Sequence, residues 1–194
     1  MVDQWIFKLC YMAIMVVTSV IRWPHQKRNK NNQIANDQKS SLEKSLLFAV
    51  SLGMMLLPLL YIFSPILVFA DYSLPIWAQA MGILLSIPSL WLFYRSHKDL
   101  GQNWSVSLEV REGHTLVTAG IYKYVRHPMY TAIWLWVFAQ PFLLTNFIAG
   151  LSGIITFGLL YFFRVNSEEQ MMLKQFGEQY KNYMQQTNRL IPKI

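Results

Sequence analysis

The chain alternates between long apolar stretches and shorter polar segments, and this pattern predicts helices that cross a membrane. Four stretches contain no Asp, Glu, Lys or Arg; they cover residues 9–21, 45–70, 72–94 and 127–163. A helix needs roughly 20 apolar residues to cross the hydrocarbon core of a bilayer. The second and third stretches each fit one such helix. The first reaches a sufficient length once residues 5–8 are included, since the long side chain of Lys8 can carry its charge to the interface.

The fourth stretch has 37 residues and is too long for a single span, because a helix of that length would extend about 55 Å. The polar pair Thr145-Asn146 lies near its middle and predicts a turn between two short spans. We therefore expect an all-α integral membrane bundle of five transmembrane helices. Three spans are predicted at about 4–22, 46–70 and 74–94, and a helical hairpin at 129–164.

The positions of the basic residues predict the orientation of these spans. If the N-terminus is outside, three segments lie in the cytoplasm: 22–45, 95–126 and 164–194. They contain 16 of the 17 Lys and Arg residues, as the positive-inside rule requires. A cleaved signal peptide would carry its positive charge before the first apolar run, whereas here the charges follow it. We therefore expect a multi-pass membrane protein with its C-terminus on the cytoplasmic face.

Composition, charge and residue spacing exclude several functional classes. The net charge of +7 would suggest nucleic acid, but its distribution is explained by orientation in a membrane and no base-reading face is evident, so no nucleic acid is expected. With 54% hydrophobic residues and one cysteine, the chain is not a secreted disulfide scaffold. The four histidines lack metal-ligand spacing, so no metal site is predicted. Membrane lipids are the expected surroundings, and the sequence predicts no oligomeric state.

The chain divides after Tyr94, where polar residues become frequent. Residues 1–94 hold the first three spans, and 95–194 hold the polar clusters and the hairpin. Apolar positions recur every three or four residues over 167–184, which predicts an amphipathic C-terminal helix. We therefore expect residues 95–194 to form a catalytic subdomain at the cytoplasmic face.

Several motifs of this C-terminal half occur in an ordered combination. GHTLVTAGIYKYVRHPMY covers 113–130; R-x-N-x-E-E begins at Arg164, F-G-x-x-Y-x-x-Y at Phe176, and R-L-I-P closes the chain. This combination resembles the isoprenylcysteine carboxyl methyltransferase family, and especially its small prokaryotic members with five spans. The resemblance covers roughly residues 95–194. The N-terminal spans carry no motif.

The resemblance implies binding of S-adenosyl-L-methionine in a pocket formed by the C-terminal half. By the same resemblance, ten residues are expected to bind that cofactor: Gln102, His114, Leu116, Val117, Tyr122, His127, Pro128, Tyr130, Glu168 and Glu169. A carboxylate can hold the amino group or the ribose hydroxyls of the cofactor, and aromatic faces favour its sulfonium cation.

The reaction implied is transfer of a methyl group to the carboxylate of a prenylated cysteine or another lipidic acceptor that enters from the bilayer. An ionised carboxylate needs no general base, so positioning is the main task of the enzyme. Arg164 is the first choice for orienting the acceptor, Arg126 the second, and Glu168 would serve an amine acceptor. The alternatives are a phospholipid N-methyltransferase, an NADPH-dependent reductase, and a non-enzymatic membrane scaffold or transporter.

Overall fold

The computed structural model describes residues 2–29, 34–37, 41–104, 109–111 and 115–193, and within them seven α-helices account for most of the chain. The helices are α1 (Val2–Asn29), α2 (Ser41–Ser51), α3 (Leu57–Phe63), α4 (Ile76–Leu100), α5 (Pro128–Leu144), α6 (Phe147–Phe176) and α7 (Glu178–Gln186). Two short strands, β1 (Ile34–Asp37) and β2 (Glu109–Arg111), pair antiparallel. This two-stranded ribbon is an addition to the predicted all-α bundle.

Within the described part of the chain, four helical segments are long and apolar enough to cross a membrane: Gln4–Arg28, Ser41–Phe63, Ile76–Leu100 and Phe147–Phe176. A fifth apolar helix, α5, has 17 residues. Large apolar side chains on these segments face outward; Trp77 is 74% exposed and Phe162 is 70% exposed. Patches of this kind are costly in water and are satisfied by lipid. The predicted class, a helical multi-pass membrane bundle, is confirmed.

The second membrane segment contains a π-helical turn over Leu52–Leu56, which joins α2 to α3. The turn precedes Pro58, whose ring cannot donate a hydrogen bond and clashes with the carbonyl four residues earlier. That carbonyl, of Met54, accepts a hydrogen bond from the Tyr11 hydroxyl at 2.8 Å. The Gly53 carbonyl accepts from Gln140 and Ser152 at 2.9 and 2.7 Å. The carbonyls of Gly53 and Met54 thus both accept side-chain hydrogen bonds, which they need because the bilayer core offers no water.

The predicted turn at Thr145-Asn146 separates α5 from α6. Thr145 adopts the left-handed conformation (φ 46°), and the Asn146 side chain accepts hydrogen bonds from two backbone N–H groups that begin α6. Asn146 also donates to the Asp71 carboxylate at 2.7 Å, which fixes the start of α6 to the connection after α3. Gly153 packs against Val137, where a Cβ atom would lie 3.2 Å from Cγ1. The two helices therefore form a close hairpin.

The predicted helix bounds need correction at both ends of the bundle. The helix expected at 167–184 is not separate: α6 continues from the membrane to Phe176, and α7 starts after Gly177. Gly177 has φ +52°, which permits a break that a β-carbon would strain. Similarly, the expected span 4–22 extends to Asn29, and Pro24 lies inside helix α1 without ending it. Helix α4 likewise continues past the expected end at 94 to Leu100.

Candidate active site

The loop before α5 is fixed to the end of α4 by polar side chains. Asn103 and Thr115 exchange two hydrogen bonds, of 3.0 and 3.1 Å. The Asp99 carboxylate accepts from the backbone N–H of Ile121 at 2.8 Å. Gly120, at φ +63°, has this carboxylate where a side chain would begin, so the close approach requires glycine. These contacts hold residues 115–127 against the helical bundle.

A cavity of about 130 Å³ lies between this loop, the start of α5, the end of α6 and α7. Its wall combines carboxylate, guanidinium, imidazole and aromatic groups with thioethers. The lining residues include Trp104, Leu116, Val117, Tyr122, Arg126, His127, Met129, Tyr130, Arg164, Glu168, Tyr180 and Tyr183. We refer to it as the polar cavity. Its carboxylate and aromatic side chains suit a ligand that has a cationic group and an aromatic part.

One group of polar side chains is centred on the cavity wall, and we call it the cavity-facing cluster: Glu168, Tyr130 and Arg164, which line the cavity, and Glu43, which contacts Arg164 without lining it. The Tyr130 hydroxyl donates to Glu168 at 2.5 Å. Arg164 Nε lies 3.7 Å from the Glu168 carboxylate, and its Nη1 lies 3.5 Å from Glu43. Glu43, on α2, is 5% exposed. The cluster thus joins the N-terminal helices to α5 and α6 at the cavity wall.

A second group, the tail-facing cluster, surrounds the next residue along α6. Glu169 is 3% exposed, and its carboxylate contacts Arg126 Nε at 3.0 Å, Arg189 Nη2 at 2.7 Å and His127 Nε2 at 3.1 Å. Arg126 also donates to the Thr187 carbonyl. Several charge-assisted hydrogen bonds to one buried carboxylate make a rigid junction.

Backbone hydrogen bonds complete this junction. The N–H groups of Arg126 and His127 donate to the carbonyls of Asn188 and Arg189, both at 2.9 Å. The Thr131 hydroxyl donates to the Leu190 carbonyl at 2.8 Å. The C-terminal segment is therefore fastened beside the start of α5, where it supports two residues that line the polar cavity.

Tyrosines beneath the loop remain protonated. Burial raises the pKa of Tyr183 to about 12, while the charge of Arg126 and a hydrogen bond with Thr187 lower it by a smaller amount. Its hydroxyl accordingly donates to the Tyr122 carbonyl at 2.6 Å. Burial also raises the pKa of Tyr122 above its ordinary range. These hydroxyls act as fixed donors that stabilise the floor of the cavity.

Most of the predicted site residues meet at the polar cavity. Arg126 and Arg164 line it, as do six of the ten residues expected to bind cofactor: Leu116, Val117, Tyr122, His127, Tyr130 and Glu168. Pro128 and Glu169 are buried but do not line it; Pro128 begins α5 and Glu169 holds the tail junction. His114 and the side chain of Gln102 lie outside the described residues.

Sequence reasoning missed several residues that shape the site. Trp104 is 1% exposed and lines the cavity, yet no local pattern singled it out. Arg189 belongs to the R-L-I-P motif, which was noted without a role for its first residue. Glu43 pairs with Arg164 across 121 positions of sequence, and no spacing could predict that contact. Among the described residues, no group of three His, Cys, Asp or Glu side chains could hold a metal ion.

These observations define the class of the protein: a multi-pass helical membrane protein with a polar cavity at one end of its bundle. Residues 83–174 match the model of the isoprenylcysteine carboxyl methyltransferase (ICMT) family. That segment, which includes most of the cavity wall, is therefore similar to isoprenylcysteine carboxyl methyltransferases. The resemblance seen in the motifs is confirmed.

Curated relatives agree with this assignment. The chain is 34% identical over 96 residues to a protein-S-isoprenylcysteine O-methyltransferase of Schizosaccharomyces pombe, covering 48% of this chain and 41% of that protein. It is 30% identical over 120 residues to the Homo sapiens protein of the same name, covering 61% and 42% of the two chains. The chain thus spans about two fifths of the length of these relatives.

A solved structure shares the fold. It is described as the eukaryotic intramembrane Ras methyltransferase ICMT (isoprenylcysteine carboxyl methyltransferase) without a monobody. The similarity has a TM-score of 0.54 at 25% identity and covers 82% of this chain and 55% of that one. The likeness therefore extends beyond the matched family segment into the N-terminal helices.

Proposed function

We propose that this protein transfers a methyl group from S-adenosyl-L-methionine to the carboxylate of a prenylated cysteine or another lipidic acceptor. The observation that carries the proposal is a wall shared by two cavities. A second cavity, of about 280 Å³ and mostly apolar, lies among α1, α2, α5 and α6. Met129, Tyr130 and Arg164 line both it and the polar cavity. A polar ligand and an apolar ligand could therefore meet across these three side chains.

The residues of the polar cavity fit the cofactor. The Glu168 side chain is 28% exposed, so its carboxylate is available to an ammonium or hydroxyl group. Tyr130 and Trp104 supply aromatic faces that can stabilise a sulfonium cation. The bound cofactor would supply an activated methyl group: a carboxylate oxygen forms the new C–O bond while the S–C bond breaks and its electron pair stays on sulfur.

The chain's own contribution is alignment and exclusion of water. Helices α5 and α6 hold the two cavities side by side, and the fastened loop covers the polar one. Placing two reactants in line removes much of the entropic barrier to their reaction. Arg164, at the shared wall, is positioned to orient the acceptor. A carboxylate acceptor is favoured over an amine because the arginines that line the apolar cavity can donate hydrogen bonds to a carboxylate and offer no acceptor to an ammonium ion.

We also propose that the polar cavity faces the cytoplasm. Residues of both 95–126 and 164–194 line the cavity, and these two segments carry ten of the basic residues, whereas Lys8 is the basic residue described near Asp71 and the Thr145-Asn146 turn. Fusion of a reporter to the C-terminus, with activity that depends on compartment, tests this orientation. A C-terminus on the outer face would contradict it.

The central experiment is calorimetric titration of the detergent-purified protein with S-adenosyl-L-methionine and, separately, with NADPH. We expect binding of the first and not of the second. Failure to bind S-adenosyl-L-methionine would overturn the proposal, and binding of NADPH would favour a reductase.

A variant of the shared wall separates binding from turnover. Arg164→Ala should retain cofactor binding and lose methyl transfer to N-acetyl-S-farnesylcysteine. Because Glu43 would lose this ion-pair partner, Arg164→Lys is made in parallel to preserve the charge. The matched control is Arg28→Ala, an exposed arginine on α1. Loss of cofactor binding in Arg164→Lys would show that Arg164 belongs to the cofactor site.

A further inference from the structure

The apolar cavity has a charged residue, Arg22, to which the proposed function assigns no individual role. Along α1, Met15, Thr18 and Arg22 line the cavity. Their spacing of three and four residues places them on one face of the helix. The remaining lining consists mainly of apolar side chains from the π-helical segment, α5 and α6, such as Met54, Ile133 and Phe157. The cavity is therefore amphipathic, with a long apolar body and a cationic end.

Arg22 has no anionic partner in the part of the chain that the structure describes. Its Nε atom is buried without a hydrogen-bond acceptor there. Its guanidinium lies over the ring of Trp104, 5.5 Å from the centroid. Arg164, in contrast, lies within 4.0 Å of two carboxylates, Glu43 and Glu168. Of the two arginines that line the apolar cavity, Arg22 is the one whose charge is not offset by a described carboxylate.

Burial of the Arg22 guanidinium is costly unless an anion compensates its charge. Removing a guanidinium from water without a counter-ion has a large desolvation cost, and Arg164 nearby adds repulsion. An anion that entered the cavity would relieve both costs and could accept two parallel hydrogen bonds. Because most of the remaining lining is apolar, the complementary ligand has one anionic group and a hydrocarbon chain.

We propose that Arg22 binds the carboxylate of the lipidic acceptor while the acceptor's hydrocarbon chain occupies the apolar cavity. This inference rests on the proposed function and names a second acceptor-binding residue. The Arg22 guanidinium lies over Trp104, whose indole N–H donates to Met129 of the shared wall at 3.3 Å, so the carboxylate would lie close to that wall. Arg22 lies on α1, outside the segment matched to the family. The N-terminal helices, which carry no motif, thus help to select the acceptor.

The test compares an acid with its neutral ester. N-acetyl-S-farnesylcysteine and its methyl ester share the hydrocarbon chain and differ in charge. Their binding to the detergent-purified full chain is measured without cofactor, for wild type and for Arg22→Gln. Loss of one charge-assisted hydrogen-bonded pair predicts about a tenfold loss of affinity for the acid. Affinity for the ester should change less than about twofold, since it cannot form the charged pair.

Two further variants complete the design. Arg28→Gln removes an equal charge from an exposed position of the same helix and should bind both probes as wild type does. Arg22→Lys should recover part of the preference for the acid. Equal weakening of acid and ester in Arg22→Gln would overturn the inference, because it would indicate a structural role. Unchanged acid binding in that variant would also overturn it.

A final arm separates the acceptor from membrane lipid, which also carries anionic groups. Each lipid is added as a competitor of bound N-acetyl-S-farnesylcysteine. We expect phosphatidylglycerol and phosphatidylcholine both to displace little of it, and to the same extent. If phosphatidylglycerol displaces it in wild type but not in Arg22→Gln, Arg22 binds the membrane surface and the inference is wrong. Cofactor titration of Arg22→Gln should match wild type. A wild type that binds no S-adenosyl-L-methionine would overturn the proposed function, while the acid–ester comparison would still report on Arg22.

Discussion

Two adjacent carboxylates on α6 occupy opposite environments. Glu168, in the cavity-facing cluster, is 28% exposed and contacts Tyr130 and Arg164. Glu169, in the tail-facing cluster, has a side chain that is only 4% exposed and is surrounded by three cationic or hydrogen-bonding side chains. One residue along a helix is a rotation of about 100°, so neighbours in sequence face different parts of the molecule. The acidic pair of the motif therefore combines a carboxylate that lines the polar cavity with a buried one that holds the C-terminal segment.

The largest effect is expected from Glu169→Gln. Removing one partner of a buried ion pair leaves the others uncompensated, and this typically costs about 3–5 kcal/mol in the free energy of unfolding. Thermal unfolding of the full chain in detergent measures the loss. Cofactor binding should weaken as well, because Arg126 and His127 line the polar cavity and lose their anchor. A variant that unfolds at the wild-type temperature would contradict the structural role of this carboxylate.

The second largest effect is expected from Glu168→Gln, which should weaken cofactor binding and change the free energy of unfolding little. Hydrogen bonds to charged groups contribute about 1.5–3 kcal/mol, so affinity for S-adenosyl-L-methionine should fall at least tenfold. The unfolding temperature should change little, since the side chain is partly exposed. Tyr130→Phe is the matched control, because it removes the 2.5 Å hydrogen bond and keeps the carboxylate. If Glu168→Gln is as unstable as Glu169→Gln, the two carboxylates share one role.

The helical hairpin could be predicted because its signals are local. The polar pair Thr145-Asn146 interrupts an apolar run, and the structure places a left-handed residue and a helix cap there. The bundle class followed equally directly from the lengths of the apolar stretches. Helix ends at the polar surface were less predictable, since α6 continues as far as Gly177 without an intervening signal.

The division between Glu168 and Glu169 could not be predicted from the sequence. Both are glutamates in one motif, and their spacing to other residues on α6 is nearly the same. What separates them is the path of the C-terminal segment, which brings Arg189 to Glu169 across 20 positions. Likewise, Glu43 reaches Arg164 only because α2 packs against α6. Contacts of this kind depend on tertiary structure.

A third effect is expected from Tyr183→Phe, which tests the hydroxyl beneath the tail-facing cluster. Loss of the 2.6 Å hydrogen bond to Tyr122 should cost about 1 kcal/mol at neutral pH. The folded pKa, about 12, lies above the unfolded value of about 10. The stability that this protonated hydroxyl contributes is therefore complete below pH 10 and is lost between pH 10 and 12.

The measurement is the unfolding temperature of wild type and Tyr183→Phe as a function of pH. The difference between them should be constant below pH 10 and should shrink toward pH 12. Tyr124→Phe is the control, since Tyr124 is 56% exposed. A difference that does not change with pH would mean that Tyr183 is not held protonated by its surroundings.

The smallest effect is expected from Glu178→Gln on α7. The same substitution at an exposed ion pair tests whether burial causes the loss of stability expected for Glu169→Gln. Glu178 pairs with Lys181 at 3.1 Å, a distance close to those around Glu169, but the two side chains are 76% and 60% exposed. Exposed ion pairs are screened by water and salt and contribute about 0–1 kcal/mol, so the unfolding temperature should remain near wild type. The chemical change is identical to Glu169→Gln. If the two variants were equally unstable, loss of the charge itself, rather than its burial among Arg126, His127 and Arg189, would explain the cost.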